Sequence, residues 1–151
     1  MVSILHISAT DISQNMNTFL LGVSVKKLVE EHMEDEWKSR ILMYLGDIVV
    51  ITQLERQDQI NAFTDFMDQL CRLAKHVCEA TVTAGIGYVC NNFPDIRQSW
   101  QGARSAVSYR VLYGNTRAIN IAEIDPMENA DERWEEQEIQ KILKKIRMGS
   151  R

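Results

Sequence analysis

Arg40-Ile41-Leu42-Met43-Tyr44-Leu45-Gly46-Asp47-Ile48-Val49-Val50-Ile51-Thr52 decides the fold. Two runs of β-formers, 41–44 and 48–51, flank the turn Leu45-Gly46-Asp47. Glycine and aspartate tolerate the backbone angles of a tight turn, and the aliphatic arms suit two paired, buried strands. A hairpin apolar on both arms is expected at the centre of a sheet with helices over it. Its turn is where a catalytic loop would sit.

The remaining elements follow in both directions. Upstream, Ser3-Ile4-Leu5-His6-Ile7 reads as a strand, and Thr10 to Asn15 as a polar connection. From Met16 to Met33, Leu21, Val25, Leu28, Val29 and His32 recur at helical spacing, with Lys26, Lys27, Glu30 and Glu31 opposite. Glu34-Asp35-Glu36 is an acidic break. Downstream, Gln57 to Cys78 is the clearest helix, its inner face set by Ile60, Phe63, Met67, Leu70, Ala74 and Val77. Thr81 to Val89 returns to strand, and Asn91 to Asp95 turns into a helix with Pro94 in its first turn. Ile96, Trp100, Ala103, Val107 and Val111 line that helix, and Gly114-Asn115 ends it. Ala118 to Ile121 is a last short strand. The order β-α-β-β-α-β-α-β predicts an α+β domain whose mainly antiparallel sheet is covered by helices.

Residues 1–124 form the expected domain, and 125–151 a linker and the start of a further helix. In that tail Asn129 and Glu132 have capping-box spacing. Ile139, Ile142, Leu143 and Ile146 form a narrow apolar stripe that needs a partner. A strand beginning at the second residue, and a helix running to the last ones, lead us to expect an excised piece of a longer protein.

The bulk properties exclude several function classes. The 151 residues suffice for one domain with a real core, and 45% apolar with 25% charged content is ordinary for a soluble chain. A net charge of −4 gives no general attraction to phosphate backbones, so direct nucleic-acid binding is not expected. No apolar run approaches the roughly 20 residues that span a bilayer, and no signal peptide is visible, so no membrane partner is expected. Three cysteines, an odd number, do not suggest a secreted disulfide framework. A reduced, cytoplasmic protein is the expectation.

The hairpin turn and the element order, over residues 2–122, resemble the GGDEF domain of diguanylate cyclases. In that family the turn reads Gly-Gly-Asp/Glu-Glu-Phe. Here Tyr44, Gly46 and Asp47 match, Leu45 replaces the first glycine, Ile48 the acidic residue after Asp47, and Val49 the phenylalanine. The resemblance implies a cyclase-like fold with a ferredoxin-like core. It also implies that Ile48 removes a carboxylate used in metal-dependent chemistry. The first strand should supply another, yet residues 4–10 contain no Asp or Glu. Mg²⁺ bound to a triphosphate needs oxygen ligands, and Asp47, with Asp11 uncertainly placed, cannot hold a metal pair. Neither enzymatic activity nor a metal or other cofactor is expected, and Leu45, Gly46, Asp47 and Ile48 are read as a vestigial loop.

Gly85-Ile86-Gly87, Asp95-Ile96, Ser99-Trp100, Ala103, Ala106, Tyr109-Arg110 and Gly114-Asn115 resemble the degenerate GGDEF-like module of certain bacterial response regulators. The tail after Glu136 resembles the helix that follows that module. Those proteins carry a phospho-receiver upstream and an AraC-type helix-turn-helix domain downstream. The resemblance implies a non-catalytic signal-transmission or dimerisation module of a two-component transcriptional regulator. Its partners would be the other domains of its chain, with a homodimer as a candidate, and DNA binding would reside elsewhere. The alternative is a sensor that binds a nucleotide or small metabolite without turnover.

Other candidates have plain readings. Gly85-x-Gly87 lacks the rest of a dinucleotide fingerprint and suits close packing of a helix on a sheet. Cys71, His76 and Cys78 lack metal-ligand spacing along a helix, so the cysteines are read as buried. His6 and His32 are read as structural. Trp100, Tyr109 and Arg110 could shape a pocket or interface; alternatively Trp100 is core and Arg110 pairs with a carboxylate.

Overall fold

In the computed structural model the description covers residues 1–8, 17–33 and 37–126. The chain divides into two compact units, Met1–Ile121 and Ala122–Arg151. Within the first unit run β1 (Val2–Ile7), α1 (Asn17–His32), β2 (Lys38–Tyr44), β3 (Asp47–Gln53), α2 (Gln59–Cys78) and β4 (Val82–Ile86). A 3₁₀ turn (Phe93–Asp95), α3 (Ile96–Ser108), α4 (Arg110–Tyr113) and β5 (Arg117–Asn120) complete it. A single turn, α5 (Ile121–Ile124), leads into the second unit. The expected connection at 10–15, the acidic break at 34–36 and the tail stripe at 139–146 lie outside the described residues.

The five strands form one sheet in the order β2-β3-β1-β4-β5. β1 runs antiparallel to both β3 and β4, β2 antiparallel to β3, and β5 parallel to β4. The first four strands with α1 and α2 therefore make the expected ferredoxin-like core, and β5 extends it. The hairpin is not central, contrary to expectation. β3 is interior, but β2 is an edge strand, and the short, apolar β1 takes the middle. Lys38, Arg40 and Tyr44 give β2 a solvent-tolerant face that a central strand would have to bury.

Strand alternation sorts the core into two layers. On one face Leu5, Ile48, Val50, Val82, Ala84 and Ile86 meet Val25, Leu28 and Val29 of α1 and Phe63, Met67, Leu70, Cys71 and Ala74 of α2. On the other, Val2, Ile4 and Val49 meet Ala103 and Val107 of α3. Each fully buried side chain of valine or phenylalanine size contributes about 1.5–3 kcal/mol, so these layers carry the fold. Two positions placed on inner faces by periodicity are exposed. Val77 lies at 58% in the last turn of α2, and Val111 at 83%. The second follows from a break, since the expected single helix stops at Ser108 and α4 sets off anew. His32, expected on the apolar stripe of α1, is exposed, its Nδ1 lying 2.9 Å from the Leu28 carbonyl.

The two sheet edges are treated differently. At β5, Asp68 Oδ1 of α2 accepts the Ala118 N–H at 2.9 Å, and Cys71 Sγ donates to the Arg117 carbonyl at 3.6 Å. At β2, among the described residues, no main-chain hydrogen bond arrives from outside the sheet.

Candidate functional site

The hairpin turn projects at the end of the sheet where β1 finishes. Leu45 (φ 51°) and Gly46 (φ 84°) both adopt left-handed backbone. Glycine does so freely, whereas leucine is strained there, and its side chain stands 86% exposed. Alternation then sends Asp47 to the α3 side of the sheet and Ile48 to the other. Ile48 is fully buried in the layer under α1 and α2, and an acidic group in its place would have to displace that core.

Asp47 has a partner that sequence reasoning did not supply. His6, on the neighbouring β1, places Nδ1 2.9 Å from Asp47 Oδ1, with both side chains about one-third exposed. The folded sheet's register brings them together, because pairing Leu5 with Ile48 sets His6 beside Asp47 on the same face. The contact ties the turn to the first strand. Next to it, Ser8 Oγ (3.4 Å) and Thr83 Oγ1 (3.1 Å) both donate to Asn115 Oδ1. Asn115, read from sequence only as a helix terminator, closes the loop before β5 onto β1 and β4.

These donors do not fit a magnesium–triphosphate centre. Among the described residues no group of three or more His, Cys, Asp or Glu side chains could hold a metal ion. The one carboxylate at the turn is engaged by an imidazole, and the other groups are neutral hydroxyls and an amide. A hard divalent cation prefers several anionic oxygens, which these described groups do not supply.

The second set of candidates is not gathered into a pocket. Trp100 is half-buried against the α3-side core and meets the Tyr44 ring edge-on, centroids 5.6 Å apart. Tyr109 and Tyr113 pack on one another at 6.1 Å, and the Arg117 guanidinium lies 5.9 Å from the Tyr113 ring centre. Arg110 Nη1 donates to the Val107 carbonyl at 3.0 Å, so no carboxylate is its partner in the described contacts. Trp100 sits in the second turn of α3, whereas Arg110 lies past its end, at the start of α4.

The small-residue pattern of α3 is explained by packing. A Cβ on Gly87 would sit 1.9 Å from the Ser99 carbonyl oxygen, and one on Gly85 2.2 Å from that of Ala103. α3 therefore lies closer to β4 than any side chain on those glycines allows, and Ser99, Gly102, Ala103 and Ala106 are its buried face. Ser99 Oγ accepts the Val2 N–H at 2.7 Å, satisfying a buried main-chain donor. Cys71 is wholly buried, which pushes its thiol up to about 12; Cys78, partly exposed, is raised by the same cause. Neither has a lowered pKa of the kind that marks a reactive thiolate.

No helix of the described residues is long and apolar enough to cross a membrane. No curated protein and no solved structure matches the chain. A family model described as a GGDEF-like domain matches residues 4–109, from β1 to the end of α3. With the ferredoxin-like sheet, the Gly46-Asp47 hairpin turn and the glycine-seated α3 all inside that span, the chain belongs to the GGDEF-like domain family.

Proposed function

We propose that this domain is a non-catalytic, cytoplasmic module that transmits a signal within a bacterial two-component transcriptional regulator of the AraC type. It would act through packing or dimer geometry between a receiver and a DNA-binding domain. The observation that carries this reading is Ile48, wholly buried in the core where the family's active loops carry a carboxylate. The engagement of Asp47 by His6 supports it, since the remaining acid of the turn already serves to fasten two strands. With the loop given over to structure, what the family scaffold retains is a rigid sheet and its faces. Incubating the purified chain with GTP and Mg²⁺ or Mn²⁺ tests the proposal. No cyclic dinucleotide is expected by chromatography, and its formation above a no-protein control would sink the non-catalytic reading.

A further inference from the structure

The sheet has two edges and the fold closes only one of them. Along β5, the Asp68 carboxylate occupies the Ala118 N–H and α2 lies against the strand. Along β2, seven residues pair with β3 on one side, from Lys38 opposite Gln53 to Tyr44 opposite Asp47. On the other side, among the described residues, their main chain makes no hydrogen bond to another main-chain group. Their side-chain hydrogen bonds, Lys38 to Glu55 just past β3 and Ser39 to Thr52 of β3, also turn back toward the strand already paired. α3 lies over β1 and β4 and reaches β2 through the edge-on contact of Trp100 with Tyr44, so on this face Arg40 and Leu42 stay exposed, Leu42 at 40%, and Tyr44 keeps 51% of its surface open. A seven-residue edge that is cationic in its first half and apolar in its second is a template for another strand of matching pattern.

From this we infer that the β2 edge pairs with β2 of a second copy, antiparallel about a two-fold axis, to form one continuous ten-stranded sheet. The sequence of β2 favours its own copy as the occupant. Its cations lie in the first half (Lys38, Arg40) and its aromatic and aliphatic groups in the second (Leu42, Tyr44). Antiparallel pairing centred on Ile41 is the register that engages all seven residues. It sets Lys38 against the partner's Tyr44, Arg40 against the partner's Leu42, and Ile41 against the partner's Ile41. Each cation then covers an apolar or aromatic neighbour, whereas a parallel, in-register pairing would stack like charges. A shift by one residue would turn the exposed face of one strand toward the helix-covered face of the other. The pairing adds about seven main-chain hydrogen bonds, roughly one per paired residue. Because β5 is closed, the assembly ends at two copies and cannot grow into a filament.

This pairing deepens the transmission reading, since it supplies the dimer geometry that reading calls for. The two fail separately. A monomer removes the pairing, whereas cyclic-dinucleotide synthesis removes the non-catalytic reading.

Sedimentation equilibrium of the full chain, up to about 1 mM, the weak end for a specific pair, is the test. The expected result is a reversible dimer. Leu42→Lys places a lysine opposite the partner's Arg40 twice per dimer and is expected to weaken association about tenfold. Leu42→Glu places a carboxylate opposite the same arginine and is expected to associate at least as tightly as the parent chain. Leu42 is partly exposed, so both variants keep the core, and circular dichroism checks this. Three results would overturn the inference: a monomer throughout, a dimer indifferent to Leu42→Lys, or a Leu42→Glu variant weakened as much as Leu42→Lys.

Discussion

Replacing Gly87 by alanine puts the seating of α3 on the sheet to a direct trial. The added Cβ would stand 1.9 Å from the Ser99 carbonyl oxygen, 2.7 Å from its carbon and 2.9 Å from its hydroxyl oxygen, where ordinary contact begins at 3.4 Å. The obstacle is main chain, which cannot rotate away, so helix and strand must part by about 1.5 Å, the difference between contact and 1.9 Å. Overpacking of this kind costs about 1–3 kcal/mol. The same separation lengthens the 2.7 Å bond from the Val2 N–H to Ser99 Oγ, and a buried donor left unpaired costs about 1–3 kcal/mol more. A loss of about 2–5 kcal/mol is expected, against a typical domain stability of about 5–15 kcal/mol. Gly46→Ala is the control. Nothing lies within 4 Å of its added Cβ, and the only cost is the left-handed φ of 84°. That costs about 1–2 kcal/mol, partly offset by about 0.4–1 kcal/mol from a less flexible unfolded chain. Urea unfolding followed by tryptophan fluorescence measures both, with Trp100 of α3 among the reporters. If Gly87→Ala proves no more destabilising than Gly46→Ala, the close-packing account of the glycine pair is wrong.

Two further predictions concern the α2 face. The Cys71 thiol ionises at about 12 in the folded chain and 9.0 when unfolded, so above 9.0 the unfolded state sheds the proton first. Stability is therefore expected to fall as pH rises from about 9 towards 12, by about 1 kcal/mol per pH unit, and Cys71→Ala should flatten that slope in denaturation series across the range. Asp68→Ala should cost about 1–2 kcal/mol by orphaning the Ala118 N–H, while Asp68→Asn, which keeps the acceptor, should recover part of it in thermal melts; equal losses would argue that only the Arg72 ion pair matters.

Reading the residues alone recovered much of the architecture. The hairpin, α2 and the small-residue face of α3 carry strong periodicity or turn chemistry, and these are the elements whose local signal and tertiary role agree. What failed has physical causes. Strand position is not encoded in strand composition, so the apolar Ile48–Ile51 run drew the whole hairpin to the centre while its Lys38-x-Arg40 half belonged at an edge. Val111 continued a three- and four-residue spacing that the chain abandons at Tyr109. The Leu45-Gly46-Asp47 turn was legible because it is a contiguous motif. The His6–Asp47 and Asn115 contacts were not, since they join residues 41 and 107 positions apart through a register that only the folded sheet sets.

The hydroxyls of Ser8 and Thr83 meet at Asn115, six residues past the point where the family match ends. A gene fragment trimmed to the recognisable motif would thus discard the clasp, the strand beside β4 and the N–H that Asp68 holds. The shortened product would have two raw margins instead of one and an Asp68 carboxylate left with Arg72 alone. The unit that evolution copies and the unit that can stand alone in solution are, for this chain, of different lengths.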